Sequence, residues 1–181
     1  MEGQEISDQA ILNQQAEIAK AIEDSSPLIS EPLSLDTLSE EFKDNQPFLN
    51  KIQSLKQQYT KIRTTRRDGN CFYRGYVFRI FEQIINQLVG GSTQLLDLVK
   101  AKLRIARQGL IDLGHSEFIV DDFHEFFIDE LESLQKEGGS DLAAVMKLFA
   151  DKSSSNYLVM YSRFITSLYM QQNQELFLPF I

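Results

Sequence analysis

The residue with the clearest chemical potential in this sequence is its one cysteine, Cys71, which follows the turn Asp68-Gly69-Asn70. Gly69 can adopt a positive φ, and Asn70 or Asp68 can cap exposed backbone amides with its side chain. Apolar residues then recur at helical spacing over residues 72–88, so we expect Cys71 in the first turn of a helix. A thiolate there is stabilised by the helix macrodipole, and the same amides could hold the oxyanion formed when it attacks a carbonyl.

The charge around this cysteine is unlike that of the rest of the chain. The net charge is -8, yet residues 51–79 hold eight basic side chains against one acidic side chain. The basic residues are Lys51, Lys56, Lys61, Arg63, Arg66, Arg67, Arg74 and Arg79. Arg66, Arg67 and Arg74 lie close enough in sequence to favour a thiolate if they point towards it. This segment is either a solvated basic face or the surroundings of a site for an anion or an acidic partner, and Cys71 itself is either reactive or a small buried residue.

A nucleophilic cysteine needs a base, usually a histidine, and the chain has two histidines. His115 follows Gly114 in a connecting loop, while His124 lies on the shoulder of an apolar helix face. We interpret both as structural residues. No cluster of histidine and cysteine has the spacing of a zinc site, so the sequence predicts no metal site.

Composition places the chain among globular proteins. Its 181 residues are 43% hydrophobic and 24% charged, which suits one domain with a real core. No apolar run is long enough to cross a membrane, and the polar N-terminus has no secretory signal. A single cysteine indicates a reducing compartment, so we expect a cytoplasmic protein, with access to the nucleus left open. The negative net charge argues against a general nucleic-acid binder, although residues 51–79 leave nucleic-acid binding as a weaker hypothesis.

The sequence predicts helices almost throughout. Residues 1–25 are expected to be a mobile N-terminal segment with a short helix at residues 7–24, separate from residues 26–181. Periodicity indicates further helices at residues 33–42, 48–60, 71–89, 93–113 (with Gly114 as the C-terminal glycine), 121–138 and 140–152, and one capped by residues 153–156. Residues 61–66 are rich in β-branched side chains and indicate an extended segment.

Several separated motifs are similar to one known family. They are Arg67-Asp68-Gly69-Asn70-Cys71-Phe72-Tyr73-Arg74, residues 26–31 with residues 59–63, Phe118-Ile119-Val120-Asp121-Asp122-Phe123-His124, and residues 156–161 with Arg163. In this order they resemble the otubains, the ovarian-tumour-type deubiquitinating cysteine peptidases. The resemblance covers nearly the whole chain from about residue 8.

The resemblance implies a papain-like α/β peptidase domain that cleaves isopeptide bonds to ubiquitin. It makes Cys71 the nucleophile, places Asp68 in the oxyanion loop, and gives Gly69 and Asn70 the task of shaping that loop. The family's general base is a histidine near its C-terminus with which nothing here aligns, and His124 matches a family histidine that is not catalytic. We therefore expect residues 26–181 to be a predominantly helical portion that lacks most of the central sheet, with little activity of its own.

The implied partners are ubiquitin and polyubiquitin chains, with ubiquitin-conjugating enzymes as a further class. Neither a metal nor an organic cofactor, a nucleic acid or a membrane is implied. The alternative to an enzyme is a catalytically inactive module that binds ubiquitin or a ubiquitin-conjugating enzyme through the N-terminal helix.

Overall fold

The structure, a computed structural model, describes residues 2–136 and 142–180. Contacts divide the chain into two compact units, one ending at Asp68 and the other beginning at Gly69. The first unit contains α1 (Glu2–Ser25), β1 (Leu33–Ser34), α2 (Asp36–Glu41), α3 (Gln46–Lys56) and β2 (Lys61–Ile62). The second contains α4 (Cys71–Val89), α5 (Gln94–Asp112), α6 (Glu117–Lys136), α7 (Leu142–Ala150), α8 (Lys152–Gln172), α9 (Gln174–Phe177) and a 3-10 turn (Leu178–Phe180). The predominantly helical character is therefore confirmed, whereas the division after residue 25 stays a prediction.

The first unit is held by a short antiparallel pair of strands. Leu33 lies opposite Ile62 in the β1–β2 pair, and Ile29 forms an isolated bridge with Thr65. The extended segment at residues 61–66 is thus confirmed in part. The helix expected at residues 33–42 is wrong at its start, because Leu33 is engaged in the strand pair and the Ser34 hydroxyl accepts from the Asp36 backbone N–H at 3.1 Å, where α2 begins.

Two other helices of this unit also differ in length from the prediction. α1 runs from Glu2 rather than from residue 7. α3 begins after Asn45, whose side chain accepts from the Phe48 N–H at 3.3 Å, and it ends at Lys56 instead of residue 60. The chain then turns so that β2 can pair with β1, and this tertiary pairing overrides the helical period of residues 57–60.

In the second unit α4 packs against α5, α6, α7 and α8. The core side chains are Val77, Phe78, Phe81, Ile84 and Ile85 from α4, Leu96, Leu103 and Leu110 from α5, Val120, Phe127 and Leu131 from α6, Val145 and Phe149 from α7, and Leu158, Val159, Tyr161 and Leu168 from α8. The predicted helices at residues 71–89 and 93–113 are confirmed within a residue at each end.

The predicted apolar stripe of α4 is wrong in its first turns. Phe72 is 71% exposed and Tyr76 is 59% exposed, whereas Arg74 and Phe78 are buried. At 3.6 residues per turn, Phe72 lies on the face opposite Arg74, so the buried stripe begins at Arg74 and the first aromatic residues of α4 face outward.

The ends of α5 and α6 show how local sequence sets helix limits. α5 ends as predicted at Gly114, which has φ +87°; its N–H donates to the Ile111 carbonyl at 2.8 Å, and the His115 N–H donates to the Leu110 carbonyl at 3.2 Å. α6 begins at Glu117, four residues before the predicted Asp121. Its predicted end at residues 138–139 lies outside the described residues, as do residues 140 and 141 of the next predicted helix.

The predicted cap of α8 is corrected by the structure. Asp151 is the N-cap, and its side chain accepts from the Ser154 N–H at 2.8 Å. Residues 153–156 therefore lie inside the first turn of α8 rather than before it, and Ser155 is fully buried.

A buried polar junction joins α5, α6 and α8. The Nδ1 atom of His124 lies 2.9 Å from the Tyr161 hydroxyl, which lies 3.5 Å from the Leu103 carbonyl. Beside it Arg107 binds both carboxylate oxygens of Asp121, at 2.5 and 2.9 Å. Arg107 lowers the pKa of Asp121, and burial raises the pKa of Tyr161, so the network favours a charged carboxylate and a neutral phenol.

The aromatic core supplies the first testable prediction. Phe81 is 0% exposed and its ring lies 5.7 Å from Phe127 and 5.6 Å from Phe149. We expect Phe81→Ala to lower the free energy of unfolding by about 3–5 kcal/mol, because it removes a buried ring and leaves a cavity. Phe118, which is 83% exposed, is the matched control, and Phe118→Ala should stay within about 0.5 kcal/mol. Urea unfolding measures both, and equal losses would show that Phe81 is not a core residue.

His124 makes stability depend on pH. Burial lowers its pKa below the ordinary 6.5; Arg107 and Arg104 act in the same direction, while Asp121 and Glu125 oppose them. As the pH falls through 6.5, the unfolded chain binds a proton at residue 124 that the folded protein accepts only at lower pH, so stability is lost.

We expect His124→Gln to flatten the fall in the free energy of unfolding between about pH 7.5 and about pH 5.5. Phe118→Ala, which changes an exposed side chain without a titratable group, is the control and should keep the original slope. Urea titrations at each pH decide this, and an unchanged slope in His124→Gln would contradict the assignment.

Candidate functional site

The turn before α4 has the conformation that its sequence predicts. Gly69 has φ +81°, and a side chain there would meet nothing within 4 Å, so backbone conformation rather than space favours glycine. Asn70 is the N-cap residue and Cys71 is the first residue of α4. The Cys71 thiol is free and exposed. The predicted position of Cys71 in the first turn is therefore confirmed, and its interpretation as a buried residue is wrong.

The sequence predicts that either Asn70 or Asp68 caps α4 with its side chain. The Asn70 side chain does not. It makes no cap hydrogen bond, and its Oδ1 accepts instead from Nη1 of Arg163 at 3.3 Å. The same guanidinium lies over the Tyr73 ring, 5.5 Å from its centroid. Arg163 of α8 thus contacts the residue before Cys71 and the second residue after it.

Asp68 closes the first unit, three residues before Cys71. Its backbone N–H donates to the Arg66 carbonyl at 3.0 Å, which forms the tight bend that leads to Gly69. The catalytic roles predicted for Asp68, Gly69, Asn70 and Cys71 stay predictions.

Three arginines were expected to stabilise a thiolate at Cys71, and all three contact other groups. Nε of Arg66 donates to the Ser26 carbonyl at 2.9 Å, and Arg67 lies 3.5 Å from the Glu41 carboxylate. Arg74 is directed into the protein interior. These contacts give no support to the expectation that the arginines favour the thiolate.

Arg74 instead joins the first turns of α4 and α8. It is 0% exposed; its Nε donates to Oγ of Ser155 at 3.0 Å and its Nη2 donates to Oδ1 of Asn156 at 3.2 Å. Sequence reasoning missed this role. The sequence did contain a signal for it: the helical period places Arg74 on the buried side of α4, where the other residues are apolar.

The rest of the basic segment is also largely paired. Lys56 lies 2.7 Å from the Asp36 carboxylate, Arg63 donates to the Ser30 carbonyl at 2.8 Å, and Arg79 pairs with Glu82. Lys51 also lies over the Phe48 ring, 6.0 Å from its centroid. With Arg66, Arg67 and Arg74, seven of the eight basic residues thus have named partners within their own unit. Because these cations are engaged, the contacts favour internal pairing over a cationic face for nucleic acid.

Aromatic side chains accompany Cys71 along α4. The rings of Phe72 and Tyr76 stack at 6.0 Å, and Phe72 meets Tyr73 edge to face at 5.5 Å. Phe72 and Tyr76 are exposed, so an aromatic surface faces outward in the first turns of α4, the helix that begins at Cys71.

The two histidines occupy other places in the fold. His124 is buried against Tyr161, and the His115 ring lies 6.0 Å from the Phe164 ring. Within residues 2–136 and 142–180, neither imidazole is hydrogen-bonded to the Cys71 sulfur. The structural interpretation of both residues stays a prediction.

The described part of the chain contains no group of three or more His, Cys, Asp and Glu side chains that could hold a metal ion. Over the same residues, no helix combines the length and the hydropathy that crossing a bilayer requires. The candidate site is thus an exposed thiol at a helix start, which suits nucleophilic attack on a carbonyl.

Comparison with known proteins gives consistent matches. The sequence profile of the family Peptidase C65 Otubain matches residues 21–181. Ubiquitin thioesterase OTUB1 of Homo sapiens is 37% identical over 175 residues, which cover 96% of this chain and 62% of that protein. Ubiquitin thioesterase otubain-like of Caenorhabditis elegans is 34% identical over 182 residues, with coverages of 97% and 61%.

Solved structures show the same likeness. The structure of h/ceOTUB1 with ubiquitin aldehyde and UBC13~Ub matches with a TM-score of 0.85 at 33% identity, over 96% of this chain and 66% of that chain. The complex with UBCH5B~Ub matches with a TM-score of 0.86 at 32% identity, over 97% and 68%. The predicted fold class, the papain-like α/β domain of the otubain type, is confirmed by these matches.

The chain spans about 62% of the length of the curated OTUB1 relatives that it matches. The profile match extends over most of the chain, and the motif around Cys71 lies inside it. This chain therefore belongs to the otubain family of C65 peptidases.

Proposed function

We propose that the protein is a cysteine-type deubiquitinase that hydrolyses isopeptide bonds to ubiquitin, with Cys71 as its nucleophile. The observation that carries this proposal is the free, exposed Cys71 thiol at the first residue of α4, directly after a turn with Gly69 in the left-handed region. Family membership and relatives named ubiquitin thioesterases support the substrate class. The proposed partners are ubiquitin and polyubiquitin chains.

In the proposed reaction the Cys71 thiolate attacks the carbonyl carbon of the isopeptide bond. The carbonyl oxygen becomes an oxyanion that rests on backbone N–H groups of residues 69–71, in the turn that Asp68, Gly69 and Asn70 shape; the Asp68 N–H itself is bonded to the Arg66 carbonyl. The C–N bond breaks, the lysine amine leaves with a proton, and ubiquitin remains as a thioester on Cys71. Water then hydrolyses the thioester and restores the thiol.

The proton steps need a general base and acid in addition to this turn. We assign that role to neither His115 nor His124, because the buried His124 is engaged with Tyr161 and His115 packs near Phe164. The proposed chemistry needs no metal or organic cofactor.

We also propose a cytoplasmic location with access to the nucleus. The support is the single, exposed cysteine, since a reactive free thiol persists in a reducing compartment.

Cys71→Ala tests the enzymatic proposal. We expect it to abolish the covalent adduct with ubiquitin vinyl sulfone and, in a protein that also supplies the general base, to lower cleavage of a ubiquitin–lysine isopeptide conjugate by about 10⁴-fold or more. Fluorescence polarisation of a labelled conjugate and a mass shift of one ubiquitin are the measurements.

His115→Gln and His124→Gln are the matched controls and should retain both activities at pH 7.5, about one pH unit above the ordinary histidine value. Full cleavage by Cys71→Ala would reject Cys71 as the nucleophile. Loss of activity in a correctly folded His124→Gln or His115→Gln would instead identify a base that we have assigned a structural role.

The second candidate function is binding without catalysis, through residues 1–25 as a segment distinct from the peptidase portion at residues 26–181. The observation that favours it is α1, in which Ile11, Leu12 and Ile18 are about half exposed. The solved h/ceOTUB1 complexes contain UBC13~Ub or UBCH5B~Ub, so a ubiquitin-charged conjugating enzyme is the proposed partner.

Deletion of residues 1–25 discriminates the two functions. We expect the deletion to weaken binding to a ubiquitin-charged conjugating enzyme by about tenfold or more while Cys71 still reacts with ubiquitin vinyl sulfone. Isothermal titration calorimetry measures the binding, and Cys71→Ala, which should bind as before, is its control. Unchanged affinity after the deletion would exclude α1 as the binding element.

A further inference from the structure

One residue, Arg66, contacts both sides of the joint between α1 and the rest of the first unit. The joint consists of Ser26 and Pro27, which separate the end of α1 from the buried Leu28. Beyond the joint, the Arg66 backbone N–H donates to the Leu28 carbonyl at 3.1 Å. Within the joint, Nε of Arg66 donates to the Ser26 carbonyl at 2.9 Å. Before the joint, Nη1 of Arg66 lies 3.7 Å from the Glu23 carboxylate of α1.

The segment beyond the joint is fixed by backbone pairing. The Ser30 N–H donates to the Thr64 carbonyl at 2.9 Å, and Ile29 forms its bridge with Thr65. Residues 28–30 therefore lie against residues 64–66. Because this pairing holds the chain up to Leu28, the direction in which α1 leaves the unit depends on the joint and on the contacts made across it.

The helix itself needs a cation at its C-terminal end. The last carbonyl groups of a helix lack partners within the helix, so this end favours a positive charge. The last turn of α1 has no basic residue and contains Glu23. The Arg66 side chain, which is 12% exposed, brings a cation to this end from another part of the sequence. The side chains at residues 10–18 of α1 are exposed, so they do not orient the helix by packing.

We propose, on the basis of the binding function that is the second candidate above, that Arg66 sets the direction of α1. By holding the joint from both sides, it presents the exposed Ile11, Leu12 and Ile18 to a ubiquitin-charged conjugating enzyme in one orientation. The partner then binds a helix that is already oriented, and less conformational freedom is lost on binding. Arg66 is a positioning residue that acts through α1.

The next residue, Arg67, provides a matched control. Its side chain is 88% exposed and lies 3.5 Å from the carboxylate of Glu41, which is itself exposed. Exposed ion pairs of this kind contribute little to stability. The Arg66 guanidinium is instead largely removed from water and donates to a backbone carbonyl, which would lose its partner on substitution. Arg67→Gln therefore removes the same charge from the neighbouring position without loosening the joint.

Distances between two nitroxide labels test the orientation directly. The labels are attached at Gln14→Cys in α1 and Gln53→Cys in α3, two exposed positions of the first unit, in a chain that also carries Cys71→Ser. We expect one narrow distance distribution with Arg66 present. After Arg66→Gln it should become at least about twice as wide, because a joint that is no longer held from both sides adopts several conformations. Arg67→Gln should keep the narrow distribution.

Isothermal titration calorimetry tests the consequence for binding, in the protein with its native Cys71. We expect Arg66→Gln to raise Kd for a ubiquitin-charged conjugating enzyme by about fivefold, which corresponds to a binding-competent orientation that is populated about one-fifth of the time. The loss should be smaller than that caused by deletion of residues 1–25, because the apolar face of α1 remains. Arg67→Gln should bind as before.

Arg66→Lys is the conservative variant. It keeps a cation at the largely buried position but loses the planar guanidinium, so the distance distribution and Kd should lie between those of the native protein and Arg66→Gln. Should Arg66→Gln fail to fold, Arg66→Lys decides the question by the same two measurements.

Three results would overturn the proposal. They are a wide distance distribution with Arg66 present, an unchanged distribution after its replacement, and an equal widening in Arg67→Gln. Weaker binding that tracks a lower unfolding midpoint, with the distance distribution unchanged, would likewise reject it. If the native protein does not bind a charged conjugating enzyme, the second candidate function has failed, and the label distances still decide whether Arg66 sets the direction of α1.

Discussion

The placement of the candidate nucleophile depends on one buried charge. Arg74 is fully enclosed, and a guanidinium removed from water must be compensated by hydrogen bonds. Oγ of Ser155 and Oδ1 of Asn156 meet it from the first turn of α8, and Asp151 fixes where that turn begins. A slip of either helix would separate the guanidinium from these acceptors. The start of α4, which carries Cys71, is therefore held in place by the start of α8.

Two faces of α8 make different contacts, one with the core and one with the start of α4. Leu158, Tyr161 and Leu168 enter the core, where Tyr161 also meets His124 of α6. On the adjoining face, Asn156 and Arg163 lie seven residues apart, about two helical turns, and both contact the first turn of α4 or the residue before it. Since these faces belong to one rigid helix, packing of the core and geometry of the turn are coupled. A change in the core contacts of α8 would therefore alter the position of Cys71, although the changed residues do not contact it.

The parts of this arrangement that sequence reasoning could find are those with a local cause. The positive φ of Gly69 and the start of α4 follow from turn chemistry and helical period. The start of α8 was misplaced because residues 153–156 are good caps in isolation, while Ser155 is needed inside the helix by Arg74. The exposure of Phe72 was not predicted for a related reason. The spacing of apolar residues indicates that a segment is helical, but here the buried Arg74 determines which side of α4 faces the core. Both errors arise from the contact between Arg74 and Ser155, which lie far apart in the sequence and which residue periodicity therefore does not reveal.

The start of α4 supplies only part of what a cysteine nucleophile needs. Arg74 is directed towards Ser155 and Asn156 of α8, and the helix dipole and backbone amides act at the end of α4 that carries Cys71. At an exposed helix end these favour a charged group by a factor of about five or less. That is far below the several powers of ten that distinguish a catalytic cysteine with its base from one without it. The proposed hydrolysis therefore requires a proton acceptor acting on Cys71, and the helix start supplies only the oxyanion side of the chemistry.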